Sequence, residues 1–143
     1  MARTRFLAKS FGDNRDGTRA GLRSFLENLQ PKTTGVIVVP TLSNVKDTIL
    51  VDVLGEDLSR QLIKNREITL QDGATIQLCS IATLKNHKYA DSYLALWAPA
   101  STIEAVEQLT SWSTATVVTW LASDADKWLT DHAVQIIFDD GKG

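Results

Sequence analysis

The chain has few of the residues that build covalent or metal-bound scaffolds. Its 143 residues include one cysteine, two histidines and three prolines. The lone thiol, Cys79, cannot form an intrachain disulfide, and neither histidine stands at a metal-ligand spacing. These absences exclude a disulfide-stapled scaffold and argue against a metal centre. They also fit a reducing cytoplasm.

Long apolar runs are absent as well. No stretch approaches the roughly 18 to 20 residues that a membrane-spanning helix needs. The basic start of the chain is followed only by Phe6-Leu7-Ala8, which is too short for the apolar part of a signal peptide. We therefore expect a cytoplasmic protein with no membrane partner.

The remaining composition is that of a globular protein. Hydrophobic residues make up 43% of the chain and charged residues 22%. This length and composition predict a single α/β domain over 1–143, in which 139–143 form a frayed tail.

The net charge of −2 conceals an asymmetry along the chain. Residues 1–32 carry seven basic and three acidic side chains, whereas residues 89–143 carry two basic and eight acidic ones. Opposite charges at the two ends attract each other, either within one fold or between two copies. Self-association is therefore one expectation, beside an unknown protein partner.

Four basic side chains are candidates for contact with phosphate or nucleic acid. Arg15, Arg19 and Arg23 recur every four residues, and Lys85 lies in a small basic loop. Because the chain as a whole is acidic, a nucleic-acid partner is disfavoured.

Hydrophobic patterning predicts strands that alternate with helices. Apolar or alternating runs predict strands at 4–8, 35–40, 93–98, 115–121 and 134–138. The helical period predicts a helix around 22–29, one continuous helix over about 45–66, a helix from 101 to about 110 that opens on a capping box, and a short helix at 124–132. This order predicts a three-layer (α/β/α) sandwich with a mostly parallel open sheet of about five strands.

A β-hairpin at 67–80 is predicted around Asp72-Gly73. A connection with an odd number of residues places the apolar side chains of both strands on one face. We therefore predict a connection of three or five residues, with Leu70 opposite Ile76 and Ile68 opposite Leu78. The hairpin forms either an antiparallel excursion or an extension of one sheet edge.

Four tryptophans lie in the C-terminal half of the chain. Aromatic side chains bury large areas, so packing between helices and sheet is one interpretation. A partner surface is the other. The tryptophans are Trp97, Trp112, Trp120 and Trp128.

Polar residues follow several of the predicted strands. In an open parallel sheet, ligands bind beyond the carboxyl ends of the strands, and the N–H groups that begin the next helices favour anions. These side chains are either simple helix caps or a shallow site for a phosphate-bearing, nucleotide-like ligand. The candidates are Thr41, Ser43, Asn44, Ser101, Thr102, Ser123 and Asp124.

The first predicted strand is followed by two glycines at a phosphate-loop spacing. Gly12 and Gly17 stand five positions apart, as in G-x-x-x-x-G-K-[ST]. The next residues are Thr18-Arg19, so the lysine is absent and an arginine replaces the hydroxyl. Asp13 and Asp16 lie inside the loop and would repel a triphosphate.

The order of elements resembles the core of P-loop ATPases such as helicases and viral packaging terminases. The strand at 36–41, the long helix, the hairpin and the strand Tyr93-Leu94-Ala95-Leu96-Trp97 follow that arrangement. The resemblance implies a Rossmann-like, P-loop-like fold and makes Tyr93-Leu94-Ala95-Leu96-Trp97 the Walker B strand. Ala98-Pro99 stand where the acidic pair is expected, so the resemblance implies a relative without catalysis.

The sequence therefore predicts a binding or protein-interaction domain without its own catalytic machinery, such as a degenerate NTPase-like unit. The alternative is an enzyme or sensor that binds a nucleotide or phosphate-bearing ligand at the strand-end loops. No pattern identifies a cofactor, a metal or a catalytic residue.

Overall fold

The structure, a computed structural model, describes residues 3–12, 14–42 and 47–141, with the backbone alone at 47–49. Its strands are β1 (Thr4–Lys9), β2 (Thr34–Val39), β3 (Glu67–Thr69), β4 (Thr75–Ser80), β5 (Ser92–Ala98), β6 (Thr114–Thr119) and β7 (Gln135–Asp139). Its α-helices are α1 (Arg15–Glu27), α2 (Asp47–Leu54), α3 (Glu56–Asn65), α4 (Ala100–Glu107) and α5 (Asp126–Asp131). Two 3₁₀ helices, Ile81–Asn86 and Ala122–Ala125, follow β4 and β6.

All the strands form one sheet, in the order β3-β4-β2-β5-β6-β1-β7. Neighbouring strands are parallel except for the antiparallel pair of β3 and β4. The predicted α/β fold with a mostly parallel open sheet is therefore confirmed. The hairpin extends one edge, because its second strand joins the sheet parallel to β2.

Both faces of the sheet are buried, and alternate residues of one strand face opposite ways. Val36 and Val38 of β2 pack into one core cluster, together with residues of α4 and α5. Ile37 and Val39 pack into a second cluster, together with residues of α1 and α3. A parallel strand covered on both sides needs this continuous apolar run.

The first strand lies between the last two strands of the chain. β1 pairs with β6 on one side and with β7 on the other. This insertion brings the basic start of the chain against its acidic end. Lys9 Nζ lies 4.0 Å from Asp139 Oδ2, and Arg3 and Arg5 both reach Glu107 at the end of α4.

Glu107 is the centre of a polar cluster that joins β1, α4 and α5. Arg5 donates from Nε at 2.7 Å and from Nη2 at 2.9 Å, and the indole of Trp128 donates at 2.7 Å. His132 Nε2 lies 3.7 Å away. Burial by itself raises the pKa of this carboxyl, but the hydrogen bonds from Arg5 and Trp128 and the nearby positive charges outweigh it. They hold the pKa of Glu107 below its ordinary value.

The continuous helix predicted over 45–66 is wrong. Two helices, α2 and α3, meet at Gly55, which has φ +88° and ψ 167°. Glycine alone adopts this conformation readily, so the residue that weakens the helical pattern is also the residue that ends the helix. The predicted start of this helix, at residue 45, lies outside the described residues.

The hairpin has the predicted odd connection but a different register. Five residues join Thr69 to Thr75, and Ile68 lies opposite Ile76. The predicted pair of Leu70 with Ile76 is wrong by two positions, which leaves the same side chains on the same face. The observed register continues into the turn, where the Leu70 N–H donates to the Ala74 carbonyl at 2.7 Å.

We expect Glu107→Gln to lower the free energy of unfolding at neutral pH by about 2–4 kcal/mol, because the guanidinium of Arg5 loses its charged partner. Since the folded pKa of Glu107 is lowered, its stabilisation is present above the unfolded pKa and is lost as pH falls through the folded pKa. Urea unfolding at neutral and at acidic pH measures both effects. The difference between the variant and the wild type should shrink in acid.

The matched control for this prediction is Glu104→Gln. Glu104 is exposed and lies on the same helix, one turn before Glu107. Its replacement should leave the unfolding midpoint nearly unchanged. Equal effects of the two substitutions would mean that Glu107 is not the centre of the cluster.

Candidate functional site

At one point on the carboxyl edge, where the parallel strands end, the neighbouring strands β1 and β6 send their chains to opposite faces of the sheet. After β1 the chain enters α1, which packs on one face of the sheet. After the adjacent β6 the chain enters the 3₁₀ helix Ala122–Ala125 and α5, which pack on the other face. Ligands of open α/β sheets bind in the crevice that forms at such a point.

The loop between β1 and α1 has its own hydrogen-bond partners. The Phe11 N–H donates to Asp140 Oδ2 at 2.8 Å, and the Gly12 N–H donates to the Trp120 carbonyl at 2.7 Å. The Asn14 N–H donates to the Gly12 carbonyl at 3.0 Å. The N–H groups of Phe11, Gly12 and Asn14 are therefore paired within the chain.

The carboxylate of Asp140 bridges the loop after β1 and the first residues of α1. Besides the Phe11 N–H, Asp140 Oδ2 accepts from Asn14 Nδ2 at 3.3 Å. Asn14 is the N-cap of α1, and its Oδ1 accepts the Gly17 N–H at 3.0 Å. A side chain from beyond β7 thus holds the N-cap side chain, which in turn caps one N–H group of α1.

The two glycines of the phosphate-loop spacing serve the local backbone. Gly12 has φ +65°, in the left-handed region that glycine favours. Gly17 lies so close to β1 that a Cβ atom there would stand 2.9 Å from the Cβ of Ser10. The spacing therefore reflects a tight turn and a close contact between helix and loop.

Thr18 occupies the position where a phosphate loop carries its lysine. It is 1% exposed, and its hydroxyl donates to the Asn14 carbonyl at 2.9 Å. The indole Nε1 of Trp97 donates to the same hydroxyl at 3.1 Å. The hydroxyl therefore acts as both a donor and an acceptor within the protein.

Trp97 reaches Thr18 from a strained position near the end of β5. Its φ is +52°, which is unusual for a bulky side chain, and the pairing of β5 with β6 shifts register between Ala95 and Ala98. The bulge turns the indole toward α1, where it packs with the residues of the second core cluster. In the resembled fold this stretch is the Walker B strand.

A buried pair of hydroxyl residues, which sequence reasoning missed, joins the ends of β1 and β6. Ser10 and Thr119 are both fully buried. The Ser10 N–H donates to Thr119 Oγ1 at 3.1 Å, Ser10 Oγ donates to the Thr119 carbonyl at 3.2 Å, and Thr119 Oγ1 donates to the Ser10 carbonyl at 2.9 Å. A small hydroxyl residue at the end of each strand is the only sequence signal, and many strand ends show it.

The predicted strand-end residues do not form one hydrogen-bonded group. Thr41, Ser101 and Ser123 are exposed, whereas Thr102 is buried at 4% exposure. The carboxylate of Asp124 accepts the Leu121 N–H at 3.2 Å. No hydrogen bond links any two of these side chains. The other two candidates, Ser43 and Asn44, lie outside the described residues.

The capping box predicted at Ser101 is wrong. Helix α4 begins at Ala100, its N-cap is Pro99, and no side chain accepts a hydrogen bond there. Proline fixes φ near the value that this position needs, so the helix starts before the first hydroxyl residue. Ser101 is consequently in the first turn of the helix.

The stripe, defined as Arg15, Arg19 and Arg23, lies on α1, and two of its members are paired. Arg15 and Arg19 donate to Asp52 Oδ2 of α2 at 3.3 Å and 3.0 Å. Arg23 is exposed on the same helix. Lys85 is exposed on the 3₁₀ helix that packs on the opposite face, so it does not join the stripe.

A groove of about 610 Å³ lies between the start of α1 and the helices α2 and α3. Its charged side chains carry both signs, and Glu56 accepts a hydrogen bond from Arg60 at 3.0 Å. The groove is lined by Arg15, Val51, Asp52, Glu56, Ser59, Arg60, Ile63 and Lys64.

The described residues form neither a candidate metal site nor a candidate reactive thiol. Over the ranges that the structure covers, no group of three or more histidine, cysteine, aspartate and glutamate side chains could hold an ion. Cys79 is buried at 2% exposure, and burial raises the pKa of its thiol to about 11. The thiol is therefore a packing residue, as the sequence suggested. None of the described helices has the length and apolar content to cross a membrane.

No family model matches the chain, and no curated protein matches it. Among solved structures, the chain is similar to the ATPase domain of the large terminase of Thermus phage P74-26. The TM-score is 0.37 and the identity is 13%, over 82% of this chain and 59% of that chain. This chain thus spans little more than half of the length of that domain.

We expect Thr18→Val to lower the free energy of unfolding by about 1–3 kcal/mol, because the buried indole N–H of Trp97 loses its acceptor while the volume is kept. Urea unfolding followed by circular dichroism measures the change. Thr41→Val, at an exposed position, is the matched control and should be nearly neutral. An unchanged midpoint for Thr18→Val would mean that the contact between Trp97 and Thr18 contributes nothing.

Proposed function

We propose that this chain is a binding domain that interacts with a protein partner and has no catalytic machinery of its own. It is a degenerate NTPase-like unit. One observation carries the proposal: in the loop after β1, Asp140 accepts the Phe11 N–H and the Trp120 carbonyl accepts the Gly12 N–H. A nucleotide bound there would have to displace both of these acceptors, and the loop has no lysine to bind its phosphates.

The groups that nucleotide hydrolysis needs are missing at each matching position. Thr18 is buried beneath Trp97 where a lysine would neutralise the transferred phosphoryl group. Arg19 replaces the hydroxyl that binds magnesium, and it is paired with Asp16 and Asp52. Ala98 and Pro99 replace the acidic pair at the end of β5. Each replacement removes a different part of the reaction.

The proposal predicts that the purified protein neither binds nor hydrolyses ATP or GTP with magnesium. Isothermal titration calorimetry and a phosphate-release assay measure this directly. Asp140→Ala should lower the thermal midpoint, because the Phe11 N–H loses its acceptor, and it should still bind no nucleotide. Asp139→Ala is the matched control, since Asp139 is a half-exposed carboxylate one residue away.

Turnover of a nucleotide by the wild-type protein would overturn the proposal. Tight nucleotide binding by Asp140→Ala, without binding by the wild-type protein, would also contradict the proposal. That result would mean that the carboxylate is a removable inhibitor of a working site.

A second candidate is the binding of a phosphate-bearing small molecule at the strand-end loops. The observation that favours it is the exposure of Thr41, Ser101 and Ser123, which follow β2, β5 and β6 at one edge of the sheet. Hydroxyl groups near helix starts suit an anion.

This candidate predicts that a sugar phosphate or a nucleotide raises the thermal midpoint of the wild-type protein. A ligand at a hundred times its dissociation constant adds about 2.7 kcal/mol to stability. Ser101→Ala and Ser123→Ala should each reduce that rise, whereas Thr83→Ala, an exposed hydroxyl on the 3₁₀ helix after β4, should not. If the ligand raises the thermal midpoint of both variants as much as that of the wild type, it binds elsewhere.

A further inference from the structure

The carboxyl edge carries an exposed apolar patch, which consists of Phe11, Trp120 and Leu121. Their exposures are 54%, 47% and 40%. Among the described residues, the other large apolar side chains left exposed are Tyr89 and Ile136. Single exposed apolar residues are ordinary on protein surfaces, but a contiguous aromatic group marks an interaction site.

The backbone holds the members of the patch together. The Gly12 N–H donates to the Trp120 carbonyl at 2.7 Å, which joins the residue after Phe11 to the residue before Leu121. The Ser10–Thr119 pair lies directly beneath this bond and is fully buried. The patch therefore rests on two fixed strand ends, and such rigid presentation lowers the entropy cost of binding.

The patch lies at the point where β1 and β6 send their chains to opposite faces. Open α/β sheets bind ligands at points of this kind. Here the N–H groups of Phe11 and Gly12 are paired within the chain, and the side chains exposed beside them are apolar. The exposure of Trp120 favours the interpretation in which a tryptophan contacts a partner rather than the core. Trp112 and Trp128 are instead buried at 2% and 5% exposure.

The surroundings of the patch are acidic. The carboxylate of Asp124 accepts the Leu121 N–H, and the carboxylate of Asp140 accepts the Phe11 N–H. Asp126 is exposed at the start of α5.

The described cations nearest in sequence to the patch are engaged by carboxylates. Lys9 lies 4.0 Å from Asp139, and Arg15 lies 3.3 Å from Asp52. The field around the patch therefore favours positive charge in a partner.

We propose that this patch docks a polypeptide segment that presents arginine or lysine beside an apolar side chain. The inference rests on the proposed function and names its surface and partner chemistry. An apolar side chain covers Phe11 and Leu121, while a guanidinium lies over the Trp120 ring or beside Asp124. A nucleic acid would meet carboxylates with its phosphates, which is the wrong charge for this surface.

Three short synthetic peptides test the proposal. The first alternates arginine and leucine, the second has glutamate in place of arginine, and the third has serine in place of leucine. Two-dimensional ¹H–¹⁵N spectra follow the indole N–H of Trp120 and the backbone amide of Leu121. The first peptide should shift both signals to saturation, and the other two should shift neither.

Substitutions locate the contact and separate its two components. Trp120→Ala and Phe11→Ala should each weaken binding of the arginine-leucine peptide at least tenfold. Tyr89→Ala is the matched control, because this aromatic side chain is 88% exposed outside the patch. Asp124→Asn keeps an acceptor for the Leu121 N–H and removes the charge, so it should weaken binding several-fold and reduce its salt dependence.

Four results would overturn the inference. One is arginine-leucine binding that survives Trp120→Ala. A second is equal binding of the glutamate peptide. A third is concentration-dependent sedimentation that Trp120→Ala abolishes, which would assign the patch to a second copy of the chain. The fourth is displacement of the peptide by a short DNA duplex that itself shifts the Trp120 signal.

Nucleotide titration of the same samples keeps the two proposals apart. Peptide binding with nucleotide turnover would overturn the proposed function and leave the patch. If neither peptide binding nor nucleotide turnover is observed, the docking proposal is wrong and the proposed function stands.

Discussion

The insertion of β1 between β6 and β7 is the constraint on which the other features of this fold depend. It joins the first strand of the chain to its last two, so it fixes which groups meet at either end of the sheet. At the amino end it brings Arg5 to Glu107, and at the carboxyl end it brings Ser10 to Thr119. It also places the residue after β7, Asp140, beside the loop that follows β1. The opposite charges of the two chain ends stabilise the same arrangement.

The same insertion accounts for the state of the candidate site. A loop between a strand and a helix start would ordinarily offer N–H groups to an anion. Here a carboxylate of the chain and the carbonyl of the neighbouring strand take those groups. The indole of Trp97 donates a hydrogen bond to the hydroxyl of Thr18, further along the helix. The exposed side chains of Phe11 and Trp120 flank these paired groups at the ends of β1 and β6.

Local patterns predicted the elements well where a residue's own chemistry decides the outcome. The apolar run of β2 predicted a strand buried on both faces, Asp72-Gly73 predicted the place of the hairpin, and the apolar alternation of its strands predicted an odd connection. The patterns failed where two local signals compete. At Gly55 the conformation of glycine outweighed the helical period, and at Pro99 the fixed φ of proline outweighed the capping box. The exposure of Trp120 was left open by the sequence, because burial depends on what the rest of the chain brings nearby.

By itself the sequence determined the α/β class, the parallel strands and the absence of a phosphate-loop lysine, since residue type and spacing encode these directly. Only the tertiary structure decided that Asp140 lies against Phe11 and that Trp97 lies over Thr18. These pairs are separated by most of the chain, and no local signal links them. Strand order brings them together, and strand order follows from the packing of both helical layers at once. The candidate site is therefore a property of the fold, built from residues whose local roles are only those of a turn, a strand end and a helix cap.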